Sequence, residues 1–412
     1  MKYLLVIGDG MADMPVPELD DKTPLEYAST PVMDMLASKG HIGMAMTVPE
    51  GMPPGSDTAI LSIFGCDPRL CFSGRAPLEA AAMGIELSPG DVAYRCNMVS
   101  LEDGDMTFEE RRIVSHSAGA IRGEDSDALV GALFDAPAFK KAAEAAGIVI
   151  FPGSSFRHIA VQKSPDVNGL DLTPPHDHLG EKLGRHLPRG CDSAAILEKL
   201  MRLAFEILDN HPLNAHRRAE AKLPANGIWF WSQGQSVELP VFREMYGKTG
   251  AVISAVPLCQ GIGALIGLEK IIVEGATGEL DTNYEGKAEA AVEALKTMDF
   301  AAIHIEAPDE CTHMGDVQGK VQAIEWIDGR VLAPLAKKLS DAGIGYRMLV
   351  ISDHRTLTST RAHDGSPVPF VVYDSGVDHK TGAAFCENEA ARSGRLTDGT
   401  KLMSMLFKME HE

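Results

Sequence analysis

The sequence contains no apolar run approaching the roughly 18 residues that a membrane-spanning helix needs. Its first stretch, M-K-Y-L-L-V-I-G-D-G, has too short an apolar segment for a signal peptide. The seven cysteines make an odd number and contain no C-x-x-C pair, which argues against a disulfide framework. We therefore expect a reduced, cytoplasmic protein that does not associate with membranes.

Positive charge is also scarce, with 38 Lys and Arg against 58 Asp and Glu and a formal net charge of −20. This balance argues against nucleic-acid partners, while an anionic small substrate would require a local basic cluster or bound cations. A dinucleotide fingerprint is missing too, because the glycines between residues 250 and 267 do not have the required spacing. The 412 residues suffice for two or three domains, or for one large domain with an insertion.

Strands and helices alternate at both ends of the chain. Apolar runs at 3–7, 301–305 and 347–352 predict buried strands, and residues 287–297 and 316–340 predict helices between them. Such alternation is typical of a parallel, doubly wound α/β sheet. In these sheets ligands bind just beyond the carboxyl ends of the strands.

Acidic and imidazole side chains follow these predicted strands. Each one alone could belong to an ordinary polar turn. Asp309 and His313 are four residues apart, so one face of a helical turn could present both. The whole set is Asp9, Asp309, His313, Asp353, His354 and His363. Six oxygen and nitrogen ligands suit two metal ions about 3.5–4 Å apart, and mixed carboxylate and imidazole ligation favours Mn²⁺, Zn²⁺ or Co²⁺ over Ca²⁺.

Ser56 follows the Pro/Gly loop P-E-G-M-P-P-G, at the position of a helix N-cap. Its hydroxyl could serve only as the cap, or it could act on an anion bound among the free N–H groups there. No G-x-S-x-G motif surrounds it, so a nucleophilic role would depend on metal activation.

Residues 88–260 have a different texture, with loops rich in Pro, Gly and Asp, short predicted strands at 147–151 and 157–162, and a long helix at 193–209. Basic clusters at 111–112, 157–158 and 216–218 are either solvated surface or holders of a substrate phosphate or carboxylate. The motif His176-Asp177-His178 lacks a third partner, so we interpret it as a loop and not as a metal site.

The motifs together resemble a known family. Asp9, the G-S-D-T around Ser56, D-E-C-T-H from Asp309, S-D-H before Arg355 and R-A-H-D-G-S-P from Arg361 are similar to those of the alkaline-phosphatase superfamily. More narrowly, they resemble archaeal-type 2,3-bisphosphoglycerate-independent phosphoglycerate mutases. The narrower resemblance covers nearly the whole chain, including I-G-D-G-M-A-D, S-G-R-A-P-L-E-A and L-P-A-N-G-I-W.

The resemblance implies a doubly wound, mostly parallel α/β sheet of alkaline-phosphatase type, formed by residues 1–88 and 264–412. Residues 89–263 would be a second, inserted α/β domain that acts as a substrate-binding lid. Ser56 would be the nucleophile. Two divalent ions, Mn²⁺ before Zn²⁺, Co²⁺ or Mg²⁺, would be held by Asp9, Ser56, Asp353 and His354 and by Asp309, His313 and His363. The substrate would be held by Arg157, His158, Arg217 and Arg218.

The activity implied by the resemblance is the interconversion of 3-phosphoglycerate and 2-phosphoglycerate through a phosphoserine, without a nucleotide cofactor. The partner would be a small phosphorylated acid. Three alternatives remain open: a homoserine-kinase-like phosphotransferase of the same family, a metal-dependent phosphatase or phosphodiesterase, and a metal-binding scaffold without activity. The metal-site motifs do not separate these functions, which depend on the inserted domain.

Overall fold

The computed structural model describes residues 1–153 and 155–408. The strands are β1 (Lys2–Gly8), β2 (His41–Met46), β3 (Val92–Leu101), β4 (Ile113–Ser115), β5 (Ile148–Phe151), β6 (Arg157–Gln162), β7 (Gly227–Gln235), β8 (Gly250–Ile253), β9 (Glu269–Ile271), β10 (Phe300–Ile305), β11 (Tyr346–Ile351), β12 (Arg355–Leu357), β13 (Ala362–Asp364), β14 (Val368–Asp374) and β15 (Leu396–Asp398).

The helices are α1 (Pro24–Tyr27), α2 (Pro31–Lys39), α3 (Ser56–Ile63), α4 (Pro68–Cys71), α5 (Arg75–Ala82), α6 (Glu124–Asp135), α7 (Pro137–Ala145), α8 (Asp192–Asp209), α9 (Pro212–Ala219), α10 (Phe242–Tyr246), α11 (Pro257–Leu265), α12 (Tyr284–Thr297), α13 (Ala307–Met314), α14 (Val317–Trp326), α15 (Ala333–Asp341), α16 (Glu387–Arg392) and α17 (Leu402–Phe407). A π-helical segment, Ile327–Leu332, joins α14 to α15, so the helix predicted at 316–340 is continuous in the chain.

The chain divides into two compact units. The first unit comprises Met1–Phe72, Ala81–Met83 and Glu238–Glu412, and the second comprises Ser73–Ala80 and Gly84–Val237. This division differs from the expected boundary at 263/264, because β8 pairs in parallel with β10 and so belongs to the sheet of the first unit. The lid role of the inserted residues stays a prediction.

The first unit is built on an eight-stranded sheet in the order β15-β2-β14-β11-β1-β10-β8-β9. β14 runs antiparallel to both of its neighbours, and the other pairings in the sheet are parallel. The central strands are mainly apolar, as expected for a sheet covered on both faces, and Leu4, Leu5, Val6 and Ile7 of β1 have no exposed surface. The predicted mostly parallel α/β sheet is confirmed.

The second unit has its own antiparallel sheet, in which β3 lies between β6 and β7, β5 pairs with β6, and β4 pairs with the end of β3. Helices α6, α7 and α8 pack beside it around a separate core that includes Tyr94, Trp229 and Phe230. The strands and long helix predicted for this part of the chain lie within one residue of β5, β6 and α8.

Among the described residues, no helix has the length and apolar character needed to cross a lipid bilayer. The expected cytoplasmic location stays a prediction.

Candidate metal and catalytic site

Three parallel strands of the first unit end at the same level. Gly8 of β1 is in register with Ile305 of β10, and Ile7 is in register with Ile351 of β11. The residues that follow these strands therefore meet at one edge of the sheet, as the strand ends of a parallel sheet must. Asp353 is tied to the β1 loop directly, because the Gly10 N–H donates to its Oδ1 at 3.0 Å.

Gly10 is required where these loops meet. Its φ is +60°, and a Cβ placed on it would lie 2.7 Å from Oδ1 of Asp309. Any larger residue would strain the backbone and push the Asp309 carboxylate away from the Asp9 loop.

Ser56 begins α3, and Gly55 is the N-cap. The sequence placed Ser56 itself at the cap, and the structure corrects this by one residue. The Ser56 hydroxyl does not bond to the helix N–H groups, because it faces the strand ends instead. Its Oγ donates to Oδ2 of Asp9 at 3.2 Å and lies 3.1 Å from Nε2 of His354.

Helix α13 presents Asp309 and His313 on one face, as their spacing predicted. Oδ2 of Asp309 lies 3.1 Å from Nε2 of His313, and Oδ1 lies 3.4 Å from Nε2 of His363, which is carried by β13. The two imidazole Nε2 atoms are 3.0 Å apart. One carboxylate and two imidazoles thus converge on a small volume.

The donor set fits divalent cations. Ligand atoms lie within 4.8 Å of one another in three overlapping groups: Asp309 with His313 and His363, Asp9 with Asp309 and His354, and Asp9 with Asp353 and His304. Oδ1 of Asp9 and Oδ2 of Asp353 are buried without a hydrogen-bond partner among the described residues. Burial and the neighbouring carboxylates of Asp353 and Asp309 raise the pKa of Asp9 well above its usual range. Buried carboxylates crowded together in this way are stabilised by a bound cation.

The sequence prediction missed His304. This buried residue of β10 places Nε2 2.9 Å from Oδ2 of Asp9 and Nδ1 3.1 Å from Oγ of Ser254. Burial lowers the pKa of His304 to about 4, so the ring is neutral at neutral pH. The only sequence signal for His304 was one imidazole inside the apolar strand F-A-A-I-H-I. That pattern does not distinguish a site histidine from a structural histidine of the core.

A buried ion pair joins two of the loops that carry the site residues. Nζ of Lys320, in α14, donates to Oδ2 of Asp13 at 2.8 Å and to the carbonyl of Thr356 at 2.7 Å. The Thr356 hydroxyl in turn donates to Oδ1 of Asp309 at 2.5 Å. The hairpin β12–β13, which carries His363, is thereby fixed to the loop that follows β1.

The four predicted substrate residues lie in the second unit. Arg157 is exposed with its guanidinium 4.4 Å above the Phe156 ring, and no described carboxylate lies within salt-bridge distance of it. His158 is buried, and its Nδ1 accepts from the N–H of Gly153 at 3.0 Å.

Arg217 and Arg218 each have protein partners. Arg217 is bound to Oδ2 of Asp125 at 2.7 Å, and Arg218 contacts Asp103 with Nε at 3.0 Å. The substrate-binding role of all four residues stays a prediction.

The chain is similar to proteins of known family. Residues 37–214 match the family described as 2,3-bisphosphoglycerate-independent phosphoglycerate mutase. A relative of that name from Methanosarcina acetivorans is 43% identical over 411 residues, which cover 99% of this chain and 100% of the relative. A solved Pyrococcus horikoshii protein has a TM-score of 0.81 at 31% identity, covering 100% of this chain and 98% of that one. A cofactor-independent phosphoglycerate mutase structure from Thermoplasma acidophilum has a TM-score of 0.66 at 26% identity, covering 99% and 100%.

Proposed function

The chain belongs to the family of 2,3-bisphosphoglycerate-independent phosphoglycerate mutases, and we propose that it interconverts 3-phosphoglycerate and 2-phosphoglycerate through a phosphoserine at Ser56. The observation that carries this proposal is the position of the Ser56 hydroxyl, which lies within 3.2 Å of both Asp9 and His354. The reaction is an isomerisation of glycolysis and gluconeogenesis.

Two divalent cations complete the site in this proposal, with Mn²⁺ as the first candidate. Asp9, Ser56, Asp353 and His354 would hold one cation, and Asp309, His313 and His363 the other. Bound divalent cations lower the pKa of a serine hydroxyl and neutralise the oxygens of a transferring phosphoryl group. The orphaned carboxylate oxygens of Asp9 and Asp353 support this assignment.

The residues of the chain orient and retain the reacting groups. Asp9 accepts the hydrogen bond of Ser56 and so directs Oγ. Ser56 Oγ loses its proton and bonds to the substrate phosphorus as the bond from phosphorus to the glycerate oxygen breaks, and that oxygen takes up a proton. In the second step the other glycerate hydroxyl loses its proton and bonds to phosphorus as the bond to Ser56 Oγ breaks, and the Ser56 hydroxyl is protonated again. Glycerate must stay bound and water must stay out between the two steps. We assign the holding of this anion to the predicted residues Arg157, His158, Arg217 and Arg218, and the exclusion of water to the predicted lid.

The test is an enolase-coupled assay of wild type and Ser56→Ala with added Mn²⁺. We expect Ser56→Ala to lose activity by on the order of 10³-fold or more, because the nucleophile is removed. Ser62→Ala is the matched control, since Ser62 lies on the same helix and its buried hydroxyl has no hydrogen-bond partner in the described part of the chain. Its activity should stay close to that of wild type.

The proposal fails if the wild type is inactive at full metal content, or if Ser56→Ala keeps the wild-type rate. Two products identify the alternatives. Free phosphate released as fast as 3-phosphoglycerate is isomerised would indicate a phosphatase, and ATP-dependent formation of O-phosphohomoserine would indicate a homoserine kinase.

A further inference from the structure

We propose that the second unit carries an accessory site for a transition-metal cation, formed by His178, Glu181 and His186. Their ligand atoms lie within 4.8 Å of one another. The sequence left His178 without a third partner, and the structure supplies two partners from the turn that follows it. None of the three residues belongs to the Ser56 site.

The two imidazoles face one carboxylate. Nε2 of His186 lies 2.9 Å from Oε2 of Glu181, and Nδ1 of His178 lies 3.5 Å from Oε1. The rings stack with their centroids 3.8 Å apart and their planes 20° apart, so a cation shared by both nitrogens requires the imidazoles to turn toward each other. Nδ1 of His178 is buried and has no hydrogen-bond partner among the described residues. A cation between these atoms would satisfy that nitrogen.

The backbone around the three residues is fixed. The N–H of Gly180 donates to the carbonyl of Ile113, and the N–H of Leu183 donates to the carbonyl of Arg111, both at 2.8 Å. Short 3₁₀ turns at Pro175–His178 and Leu183–Arg185 close the two ends of the segment. The donors are thus held together before any ion binds, which reduces the entropy lost on binding.

The donor types select the cation. Two imidazoles and one carboxylate suit Zn²⁺, Co²⁺, Ni²⁺ or Cu²⁺, whereas Mg²⁺ and Ca²⁺ prefer oxygen ligands. The side chain of Glu181 is 46% exposed, so water can reach a remaining coordination position. His176, in the same 3₁₀ turn, is not part of the group because its ring packs 5.1 Å from that of Trp231.

The test is the zinc content of the full chain after loading with Zn²⁺ and gel filtration. We expect Glu181→Gln and His186→Ala each to hold one equivalent less than wild type. Two controls should keep the wild-type content. His176→Ala alters the same turn. His216→Ala breaks a pair with Glu220 (3.1 Å), which among the described residues belongs to no group of three metal-ligating side chains.

A second arm separates this ion from those of the Ser56 site. In an Asp353→Asn background, Glu181→Gln should still remove one equivalent, and Zn²⁺ should shift the ring resonances of His178 and His186 in NMR spectra. Equal zinc content in wild type, Glu181→Gln and His186→Ala would overturn the proposal. That result would leave the assay of Ser56→Ala unaffected, so the two proposals can fail separately.

Discussion

Asp9 connects Ser56 to the sheet. Its Oδ2 accepts a hydrogen bond from the Ser56 hydroxyl at 3.2 Å and lies in hydrogen-bond contact with Nε2 of His304 at 2.9 Å. The other ring nitrogen of His304 is in hydrogen-bond contact with the Ser254 hydroxyl. A residue that hydrogen-bonds to a metal ligand orients it, and losing such a residue costs about 10–100-fold in metal affinity or activity. His304 is therefore a positioning residue for Asp9 within the proposed mechanism.

The lowered pKa of His158 predicts how the free energy of unfolding depends on pH. Burial lowers its pKa to about 4, and its Nδ1 must stay unprotonated to accept from Gly153. The unfolded chain binds this proton near pH 6.5, so the free energy of unfolding should fall as the pH drops from about 6.5 to about 4. The loss attributable to His158 is on the order of 3 kcal/mol, and it is absent above about pH 7.

The measurement is urea unfolding of wild type and His158→Asn between pH 7.5 and 4.5. Asn places an oxygen near the position of Nδ1, so it can accept from Gly153 without titrating. Wild type should lose stability relative to the variant only on the acidic side. Parallel curves for the two proteins would show that His158 is not buried as a neutral ring.

At the scale of elements, Lys320 of α14 fixes the hairpin β12–β13, because it bonds to the Thr356 carbonyl while it is paired with Asp13. Lys320 has no exposed surface and the exposed fraction of Asp13 is 2%. Lys320→Met should lower the free energy of unfolding by about 3–5 kcal/mol, because it leaves the Asp13 carboxylate buried without its cation. Urea unfolding at neutral pH measures the loss.

Lys337→Met is the matched control, since Lys337 pairs with Asp341 at the surface on the next helix, and about 1 kcal/mol or less should be lost. The double variant Asp13→Leu with Lys320→Met should recover part of the loss. Equal effects of Lys320→Met and Lys337→Met would contradict a buried, coupled pair.

The sequence predicted the strands and the helix that carry the candidate site residues, for a physical reason. Apolar strands in a parallel sheet end at a common edge, so Asp9, Asp309 and Asp353 could be placed together without coordinates. Partnership across space was not predictable. The four residues G-A-V-I of β8 do not indicate which sheet they join. Asp309 and His313 have the i,i+4 spacing of helix neighbours, but Glu181 and His186 are five residues apart outside a helix, so the sequence did not predict their contact.

At the scale of the whole molecule, Mn²⁺ should stabilise the first unit more than the second. Asp9, Asp309 and Asp353 repel one another in a buried site, so Mn²⁺ added to metal-free protein should raise the unfolding temperature. At 100 times the dissociation constant, the gain is about 2.7 kcal/mol. Asp353→Asn should show a smaller gain and weaker Mn²⁺ binding, with its helix and sheet content retained.

The tryptophans report on the two units separately. Trp229 and Trp231 lie in the second unit and Trp326 in the first. In a Trp326→Phe variant, fluorescence follows only the second unit while circular dichroism follows both. We expect Mn²⁺ to shift the dichroism transition more than the fluorescence transition. No shift in either signal for wild type would contradict a cation site at the strand ends.

The central position of β1 has a consequence for synthesis on the ribosome. Tyr3 pairs with Phe300, and Lys2 pairs with Tyr346. At about 5–20 residues per second, β1 emerges roughly 15–60 s before either neighbouring strand has been translated. Residues 84–237, by contrast, are complete much earlier and have a core of their own. The nascent chain therefore carries this buried strand without its sheet neighbours during that interval, and a ribosome-associated chaperone would bind it there.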